Sequence, residues 1–357
     1  MNERLRPLIV IFGIDAVREK NLSQIRWLAS HGFTMHVFST DPRVGPSEPF
    51  AAFETLESTI TGRLRQIWRF LRRHRSEVHH VEVIPSGRFA WIYALVSRML
   101  RVKLLAIDVG VLTLCQRRAY PVITRLSMYS AFRLANCIWY KQPNVAKILK
   151  RWRLRSTFFL PNGVPLPPAS ESTNRAIDFL WVNRLIPERH PDWFACAVRE
   201  LAQARPVTCE MLGFGGPGTT VEQPQLEQRV RRILAGVPSC QCHDYTDPVP
   251  FYRRARFFVL PGDVVFGNFA LLEAMSHGVV PIVSNAESPG LLVKDGFNGI
   301  VIEHRSESLL AAMQDVLTLD EERWNEMSAA ARRTVEADFS LDAWGRRLLE
   351  EYEALTT

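Results

Sequence analysis

The feature that most constrains this 357-residue chain is an alternation of short apolar strands with helices, which occurs twice along the sequence. In the first half the strands include RPLIVIFG, FTMHVFST, HHVEVIPSG, VKLLAIDVG, CIWYK and STFFLPNGV, with helical segments between them. This alternation predicts a doubly wound parallel sheet. A second series begins at IDFLWVN and continues through PVTCEMLGFG, SCQCHDY, RFFVLPG and VVPIVSN. The sequence therefore predicts an α/β fold of two Rossmann-like domains facing a cleft.

The segment VPLPPASESTNR at residues 164–175 separates the two series. It combines three prolines with Ser, Thr and Asn and has no apolar periodicity, which is typical of a linker. The chain is long enough for two domains that each bury a core. We expect an amino-terminal domain at 1–165, a second domain at 166–340, and a carboxyl-terminal helix at 341–357 that crosses back to the first.

Charge is distributed unevenly between the two halves. Residues 1–160 carry 26 Lys and Arg against 10 Asp and Glu, a net +16, whereas the remainder carries 18 against 27, a net −9. A basic first domain suits an anionic surface such as lipid headgroups, a diphosphate-linked acceptor or nucleic acid. Because no nucleic-acid-binding module is recognisable, we expect no nucleic acid partner.

The stretch GRLRQIWRFLRRHR, together with KRWRLR at 150–155, concentrates that positive charge. Its apolar residues Leu64, Ile67, Trp68 and Leu71 recur at helical spacing, which predicts a basic amphipathic helix. Two interpretations remain open: the helix docks peripherally on an anionic membrane, or its apolar stripe covers a face of the parallel sheet.

The sequence has no pattern typical of a metal site, a redox site or a membrane-spanning segment. The six cysteines lack CxxC spacing; Cys240 and Cys242 point the same way on a predicted strand, but no second pair accompanies them. The nine histidines form no spaced ligand set, so we expect no metal and no cofactor. The amino-terminal apolar run is too short for a signal peptide or a spanning helix. We therefore expect a cytoplasmic protein, and the alternative is a cytoplasmic protein in peripheral contact with the inner face of the membrane.

Two motifs in the second half carry candidate chemistry. In FLWVNRLIPERHPD, Arg184 and Arg189 lie between a strand and a helix, where two guanidiniums at a helix start suit a diphosphate. Solvated surface arginines are the alternative for this segment alone. In FFVLPGDVVFGNFALLEAMSHG, Glu273 lies among core residues, so its carboxylate needs a ligand or a partner.

These segments together resemble the retaining GT-B glycosyltransferases, in particular glycosyltransferase family 4. The resemblance covers residues 159–303 and rests on PNGVPLPP, VNRLIPERHPD, MLGFG, FYRRARFFVLPGD, FGNFALLEAMSHGVVPIVSNAES and VKDGFNGIVI. It implies transfer of a sugar from a nucleoside diphosphate sugar, with UDP-sugars favoured and GDP-sugars next. The implied acceptor is a glycan or a lipid-linked or lipopolysaccharide-type molecule.

The resemblance also implies roles for individual residues. Arg184 and Arg189 would hold the donor diphosphate, and Glu273 would bind the nucleotide ribose. The implied neighbours of the donor phosphate, sugar and base are Gly213, Gly215, Asp244, Tyr245, Gly267, Asn268 and Phe269. In the first domain, Gly13 would line the cleft, and Asp108 would either orient the acceptor or act as a base, the alternative being a helix or loop cap.

Three positions depart from the family pattern. The glutamate that usually holds the transferred sugar is replaced by Val265, with Asp263 a potential substitute two residues earlier. The usual glycine before the first arginine is Asn183, and a usual acid is Leu291. These departures motivate an alternative function: a catalytically weak or inactive nucleotide-sugar-binding or scaffolding subunit of the same fold.

Overall fold

The computed structural model describes residues 7–14, 19–40, 51–116, 120–154, 156–168, 175–216, 223–286 and 289–356. The chain forms two compact units. Unit 1 comprises Met1–Gly163 with Leu341–Thr357, and unit 2 comprises Val164–Ser340. Among the described helices, none is long and apolar enough to cross a bilayer.

Unit 1 is built on a parallel sheet that has seven strands within the described residues. The strands are β1 (Leu8–Ile14), β2 (Thr34–Ser39), β3 (Ala51–Thr55), β4 (Val78–Val83), β5 (Leu104–Asp108), β6 (Cys137–Tyr140) and β7 (Thr157–Phe159). The helices are α1 (Glu19–Ser30), α2 (Ile60–Arg73), α3 (Ala90–Met99), α4 (Val111–Gln116), α5 (Val122–Leu134) and α6 (Val145–Arg151). The strand order β3-β2-β1-β4-β5-β6-β7 reverses direction between β1 and β4.

Both faces of the first sheet are covered, as a parallel sheet requires. Successive residues of β1 divide between two core clusters: Val10 and Phe12 pack into one, and Ile9 and Ile11 into the other. This two-sided burial explains why β1 is a continuous apolar run rather than an alternating one.

Helix α2 carries the basic amphipathic segment predicted above. Its side chains Ile67 and Leu71 are buried in the core that covers the sheet, so the apolar stripe packs inside the unit. Arg63 is also buried, where it donates to the carbonyl of Glu57 and to the hydroxyl of Tyr93. The apolar stripe is therefore not available to a membrane, and the exposed residues of α2 are its outer arginines together with Ile60 and Thr61 at its start.

Unit 2 is built on a second parallel sheet, with six strands among the described residues. The strands are β8 (Ile177–Val182), β9 (Cys209–Phe214), β10 (Cys240–Asp244), β11 (Ala255–Leu260), β12 (Val280–Ser284) and β13 (Ile300–Ile302). The helices are α7 (Pro191–Ala204), α8 (Gln223–Ile233), α9 (Val249–Tyr252), α10 (Phe269–Ser276), α11 (Ser306–Val316) and α12 (Glu321–Asp338). The order β10-β9-β8-β11-β12-β13 reverses between β8 and β11.

The last helix, α13 (Leu341–Thr356), packs within unit 1. The indole of Trp27 on α1 donates to the Asp342 carboxylate across 2.7 Å, and the hydroxyl of Tyr352 donates to buried Glu82 on β4. Gly345 faces the Trp27 ring so closely that an added Cβ would lie 2.2 Å from it. Helix α13 thus shares the core beneath α1 and the first sheet.

The predicted α/β fold with two doubly wound parallel sheets is confirmed. Two strands were not predicted, β3 and β13, and each lies at the edge of its sheet.

Candidate functional site

The candidate site lies where the strand order of the second sheet reverses. The carboxyl ends of β8 and β11, which pair side by side, lead into the loops that carry the predicted motifs. In open parallel sheets this reversal leaves a crevice in which ligands bind. The structure therefore brings Arg184, Arg189 and the loop before α10 to the position where a ligand site is expected.

The two arginines after β8 differ in their surroundings. The Arg184 side chain is exposed, and its guanidinium makes neither a hydrogen bond nor an ion pair to the described part of the chain. Arg189 ends a 3₁₀ turn, Pro187–Arg189, and donates from Nη1 to the carbonyl of Val264 across 2.6 Å. Burial, followed by the positive charge of Arg184, lowers the pKa of the Arg189 guanidinium. Two cations close enough to perturb one another form a site for an anion.

The loops after β8 and β11 are joined by an amide pair. Asn268 caps α10 by accepting from the backbone amide of Leu271 across 3.1 Å, and its Nδ2 donates to Oδ1 of Asn183 across 3.0 Å. Sequence analysis treated Asn183 only as a departure from the family pattern. The structure gives it a role, since it links the loop that holds Arg184 to the start of α10.

Gly213, near the end of β9, approaches the same segment. Its φ is +118°, and an added Cβ would lie 1.9 Å from the carbonyl oxygen of Asn183. Only glycine allows the two strand ends to approach this closely. Gly213 is thus packed against the segment that leads into Arg184 and does not lie in an open loop.

Glu273 lies on α10, about one turn into the helix, and is half-buried. Its Oε2 accepts a hydrogen bond from the hydroxyl of Tyr252 across 3.2 Å. Burial, followed by the charge of Glu273, raises the pKa of the Tyr252 phenol well above its usual value, so the phenol stays a donor. The partner that the sequence required for this carboxylate is Tyr252, which sequence analysis did not single out.

The loop between β11 and α10 contains the other predicted contacts. Gly267 has a φ of +78°, and Phe269 is the first residue of α10 and is half-buried. Val265, by contrast, is fully buried in the core beneath the loop. The Val265 side chain therefore packs in the core and offers no hydrogen-bonding group to a sugar. Leu291 is exposed.

The residues expected near the nucleotide base lie at the ends of β9 and β10. Gly215 has a φ of +61°, and its amide donates to Glu227 on α8 across 3.0 Å. The amide of Tyr245 donates to the carbonyl of Phe214, while the Tyr245 ring is 63% exposed beside Gly216. Asp244 pairs with Arg231 at 3.4 Å. An exposed aromatic ring at a strand end can stack against a base.

Two predicted residues belong to unit 1. Gly13 follows the apolar run of β1 with a φ of +88°, and an added Cβ would lie 2.2 Å from the carbonyl oxygen of Ile84. It therefore permits close approach at the reversal between β1 and β4.

Asp108 ends β5 and is fully buried. Its two oxygens accept from the amides of Leu112 and Gly110 across 2.8 Å and 3.1 Å, which caps α4. Burial raises the pKa of this carboxyl despite these bonds. The structure shows Asp108 as a cap of α4. Its role in orienting the acceptor or acting as a base stays a prediction.

Beside Arg189 the structure assembles a group that the sequence did not reveal. His190, Asp263 and His304 place candidate ligand atoms within 4.8 Å of one another, although they come from three separate segments. The expectation that the histidines form no ligand set considered only spacing along the chain. The carboxylate of Asp263, in the loop after β11, lies close to both imidazoles and completes the group.

Part of the chain, including the loops of this site, matches known proteins. Residues 176–319 match the family described as Glycosyl transferases group 1. A UDP-Gal:alpha-D-GlcNAc-diphosphoundecaprenol alpha-1,3-galactosyltransferase of Escherichia coli is 26% identical over 203 residues, which is 51% of this chain and 50% of that protein. A D-inositol 3-phosphate glycosyltransferase of Rhodococcus erythropolis is also 26% identical, over 48% of this chain and 40% of the relative. The chain thus aligns with about half the length of the curated relatives it matches.

Solved structures resemble the whole chain. A sucrose-phosphate synthase from Thermosynechococcus elongatus superposes with a TM-score of 0.76 at 19% identity, covering 98% of this chain and 99% of that one. The Anabaena protein HepE, crystallised with UDP and glucose, gives a TM-score of 0.74 at 13% identity, covering 98% and 100%. The chain therefore has the GT-B fold, and its residues 176–319 match the glycosyl transferases group 1 family.

Proposed function

We propose that this protein is a retaining glycosyltransferase that moves a sugar from a UDP-sugar to a glycan or lipid-linked acceptor. The observation that carries the proposal is the pair of guanidiniums after β8. The guanidinium of Arg184 is exposed and has no hydrogen-bonded partner among the described residues, and its charge acts on Arg189. A diphosphate would neutralise both. GDP-sugars are the next donor class in our proposal.

The chemistry we assign to the site is stabilisation of a leaving diphosphate. When the bond from the anomeric carbon to the diphosphate breaks, negative charge grows on the departing oxygen. Arg189, held by the Val264 carbonyl, and the exposed Arg184 supply positive charge there, and the amino terminus of α10 supplies its dipole. Because Arg189 and the start of α10 are held before the substrate binds, these groups reorganise little during the charge transfer.

Glu273 is assigned to the ribose of the nucleotide. A carboxylate accepts hydrogen bonds from vicinal hydroxyls, and the Tyr252 hydroxyl fixes its orientation from the core side. The base would stack near Tyr245, whose ring is exposed at the end of β10. Retention at the anomeric carbon and freedom from metal in the transfer step come from the family resemblance, and the anomeric configuration of the product tests the former.

The acceptor we favour is a lipid-linked glycan. The Escherichia coli relative is named for a diphosphoundecaprenol-linked acceptor, and the first half of this chain carries a net charge of +16. Basic side chains on the outside of α2 would then hold the protein at an anionic membrane surface.

The test uses purified, tag-free protein with a panel of UDP-, GDP- and ADP-sugars. A nucleotide that binds only the folded state raises the melting temperature. We expect the largest shift with UDP-sugars, and sugar transfer to a polyprenyl-diphosphate-linked acceptor. Replacing Arg184 with alanine should lower kcat by about 100-fold, the loss typical of a transition-state donor.

Two further variants sharpen this test. Glu273→Ala should weaken donor binding, whereas Arg205→Ala removes an exposed arginine at the far end of α7 and should leave both binding and turnover unchanged. Wild-type kinetics in Arg184→Ala and Glu273→Ala would overturn the assignment.

A second function, a nucleotide-sugar-binding or scaffolding subunit without turnover, is favoured by one observation. The side chain at the usual sugar-binding position, Val265, is buried in the core and offers no hydrogen bond to a sugar. A melting-temperature shift with UDP-sugars that is not accompanied by transfer or hydrolysis would select this alternative.

A further inference from the structure

A group of nitrogen and oxygen ligands lies next to the proposed donor site. Nε2 of His190 hydrogen-bonds to Oδ1 of Asp263 across 2.7 Å, and Nε2 of His304 lies 3.1 Å from the same carboxylate oxygen. The two imidazole rings are 5.0 Å apart between centroids. Two imidazole nitrogens and one carboxylate oxygen therefore converge on one small volume.

The three side chains are held before any ion arrives. His190 has a φ of +50° between the 3₁₀ turn and α7, a conformation uncommon for a residue other than glycine. Its ring stacks on the indole of Trp193 at 3.9 Å, and the His304 ring lies 5.1 Å from the same indole. The backbone amide of Asp263 donates to the carbonyl of Glu188 across 3.0 Å. Packing and backbone bonds thus fix the directions of the ligands.

The present spacing is close to that of a metal-bound set. In tetrahedral zinc sites with bonds of about 2.0–2.1 Å, neighbouring ligand atoms are about 3.3–3.4 Å apart. The separations of 2.7 Å and 3.1 Å would have to widen by about 0.6 Å and about 0.3 Å, and the two imidazole nitrogens already lie within 4.8 Å of each other. Small side-chain rotations produce changes of this size. Three protein ligands would leave a fourth position open.

We propose that His190, Asp263 and His304 form a binding site for a divalent transition-metal ion, with zinc as the best match. Two imidazoles with one carboxylate suit zinc and its neighbours and are a poor match for magnesium or calcium, which take oxygen ligands. The Asp263 side chain is 47% exposed, so an ion can enter from solvent. Asp263 then serves as a metal ligand rather than as a substitute for the sugar-binding glutamate.

The position of the site gives the ion a role as a clamp. Asp263 belongs to the loop whose Val264 carbonyl accepts from Arg189, and His190 directly follows Arg189. A bound ion would therefore fasten the loop after β8 to the loop after β11, and would hold Arg189 in place for the donor. It takes no part in bond cleavage in this proposal, and binding of the ion does not depend on the proposed transferase activity.

The test measures metal binding directly. Full-length, tag-free protein is stripped with a chelator and titrated with ZnCl₂ against a chromophoric competitor, and with CoCl₂ by visible absorption. We expect one equivalent of tight binding and a cobalt spectrum of a nitrogen and oxygen site. His304→Gln and Asp263→Asn should each weaken zinc binding by at least tenfold. Because the His304 side chain is 33% exposed, the first substitution should leave the fold intact, which circular dichroism checks.

The matched control is His243→Gln. His243 is in the same unit and pairs with the Glu210 carboxylate at 2.5 Å, but that pair is not part of a three-ligand group among the described residues. Zinc binding should be unchanged in this variant. Absence of saturable zinc binding to the wild-type protein, or equal affinity in His304→Gln, would overturn the proposal. UDP-induced melting shifts, measured in parallel, keep a failure of the donor site separate from a failure of the metal site.

Discussion

At the scale of single residues, the site depends on close approaches that only particular side chains permit. Gly213 and Gly215 both have positive φ, but they differ in surroundings. An added Cβ at Gly213 would lie 1.9 Å from the Asn183 carbonyl, whereas at Gly215 it would meet no described atom within 4 Å. The φ of +118° at Gly213 also lies outside the left-handed region that alanine can adopt, whereas the φ of +61° at Gly215 lies within it, so both strain and steric contact are greater at Gly213.

We predict that Gly213→Ala destabilises the protein more than Gly215→Ala. Both variants carry the strain of a positive φ, about 1–2 kcal/mol, but only the former forces the ends of β8 and β9 apart, which adds about 1–3 kcal/mol. Gly213→Ala should also weaken UDP binding, because Asn183 leads into Arg184. Urea unfolding midpoints and UDP-induced melting shifts measure the two effects. Equal unfolding midpoints in the two variants would show that the approach to Asn183 is not restrictive.

Positions that form local motifs were predictable from the sequence. Arg184, Arg189 and Glu273 were singled out because each lies beside a strand or helix signal that fixes where it falls in the fold. Their roles in donor binding stay predictions.

Contacts between distant segments were not predictable from the sequence. The bond from Asn268 to Asn183 spans 85 residues, and that between His190 and Asp263 spans 73. Side chains that meet across such distances have no spacing signal, because the sheet and not the local sequence brings them together.

At the scale of elements, helix α13 is held against unit 1 by specific contacts. On helix propensity alone, alanine in place of Gly345 would stabilise an isolated helix by about 1 kcal/mol. In the folded protein the new methyl group would lie 2.2 Å from the Trp27 ring. The two effects have opposite signs, which makes the substitution informative.

We predict that Gly345→Ala lowers the melting temperature and makes α13 more sensitive to proteolysis. Overpacking of this kind costs about 1–3 kcal/mol, more than the gain in helix propensity. Limited proteolysis and thermal unfolding provide the measurement, with Glu350→Ala as a control at an exposed position of the same helix. A melting temperature at or above the wild-type value would mean that α13 does not pack against Trp27 in solution.

The packing of α13 against β4 should contribute less stability at acid pH. His79 on β4 has ring contacts with Phe33 and Tyr352, and burial, together with the charge of neighbouring His80, lowers the pKa of His79 to about 4. Between about pH 6.5 and pH 4, the unfolded chain binds a proton at His79 that the folded chain does not. Stability from this group is therefore present above pH 6.5 and decreases as the pH falls through that window.

We predict that His79→Gln reduces the loss of stability on acidification. The urea midpoint should fall less between pH 7 and pH 5 in this variant than in the wild-type protein, because the proton uptake by the unfolded chain at this position is removed. His31→Gln, at an exposed histidine of the same unit, serves as the control. The same pH dependence in His79→Gln and the wild type would contradict the assignment.

The elements that sequence analysis missed share a physical cause. Strand β13 has three residues and β3 has five, and each pairs on one side only in its sheet. Edge strands are short and half-solvated, so they lack the continuous apolar run that reveals a central strand. The central strands, which are buried on both faces, were predicted.

At the scale of the whole molecule, similarity and charge are distributed differently between the two units. The family match covers residues 176–319, all within unit 2, whereas the structural similarity covers 98% of the chain. The excess positive charge lies in the first half. On these grounds the proposed function assigns the donor to unit 2 and the acceptor to unit 1.

The outer surface of unit 1 combines positive charge with exposed apolar side chains. Helices α2, α3 and α5 contribute to the same core on one face of the sheet. Their exposed outer residues include Arg69, Arg72 and Arg73 on α2, and Val122, Ile123 and Leu126 on α5. Such a surface suits anionic lipid headgroups with shallow apolar contact.

We predict that the protein co-sediments with vesicles that contain phosphatidylglycerol and not with phosphatidylcholine vesicles. Binding should be strong at low salt and lost near 1 M salt, where the screening length is about 3 Å. The triple substitution Arg69→Gln, Arg72→Gln and Arg73→Gln should lower partitioning by about 100-fold, since each basic residue near the surface contributes about 1 kcal/mol.

The control for this prediction removes the same charge from unit 2. Helix α8 offers three exposed arginines for a matched triple substitution, Arg229→Gln, Arg231→Gln and Arg232→Gln. If unit 1 faces the membrane, this variant keeps wild-type partitioning although its net charge equals that of the α2 variant. Equal losses in both variants would mean that vesicle binding reports net charge alone. In that case the charge of unit 1 would no longer be an argument for docking on a membrane, and the proposal of a lipid-linked acceptor would lose the structural observation that supports it.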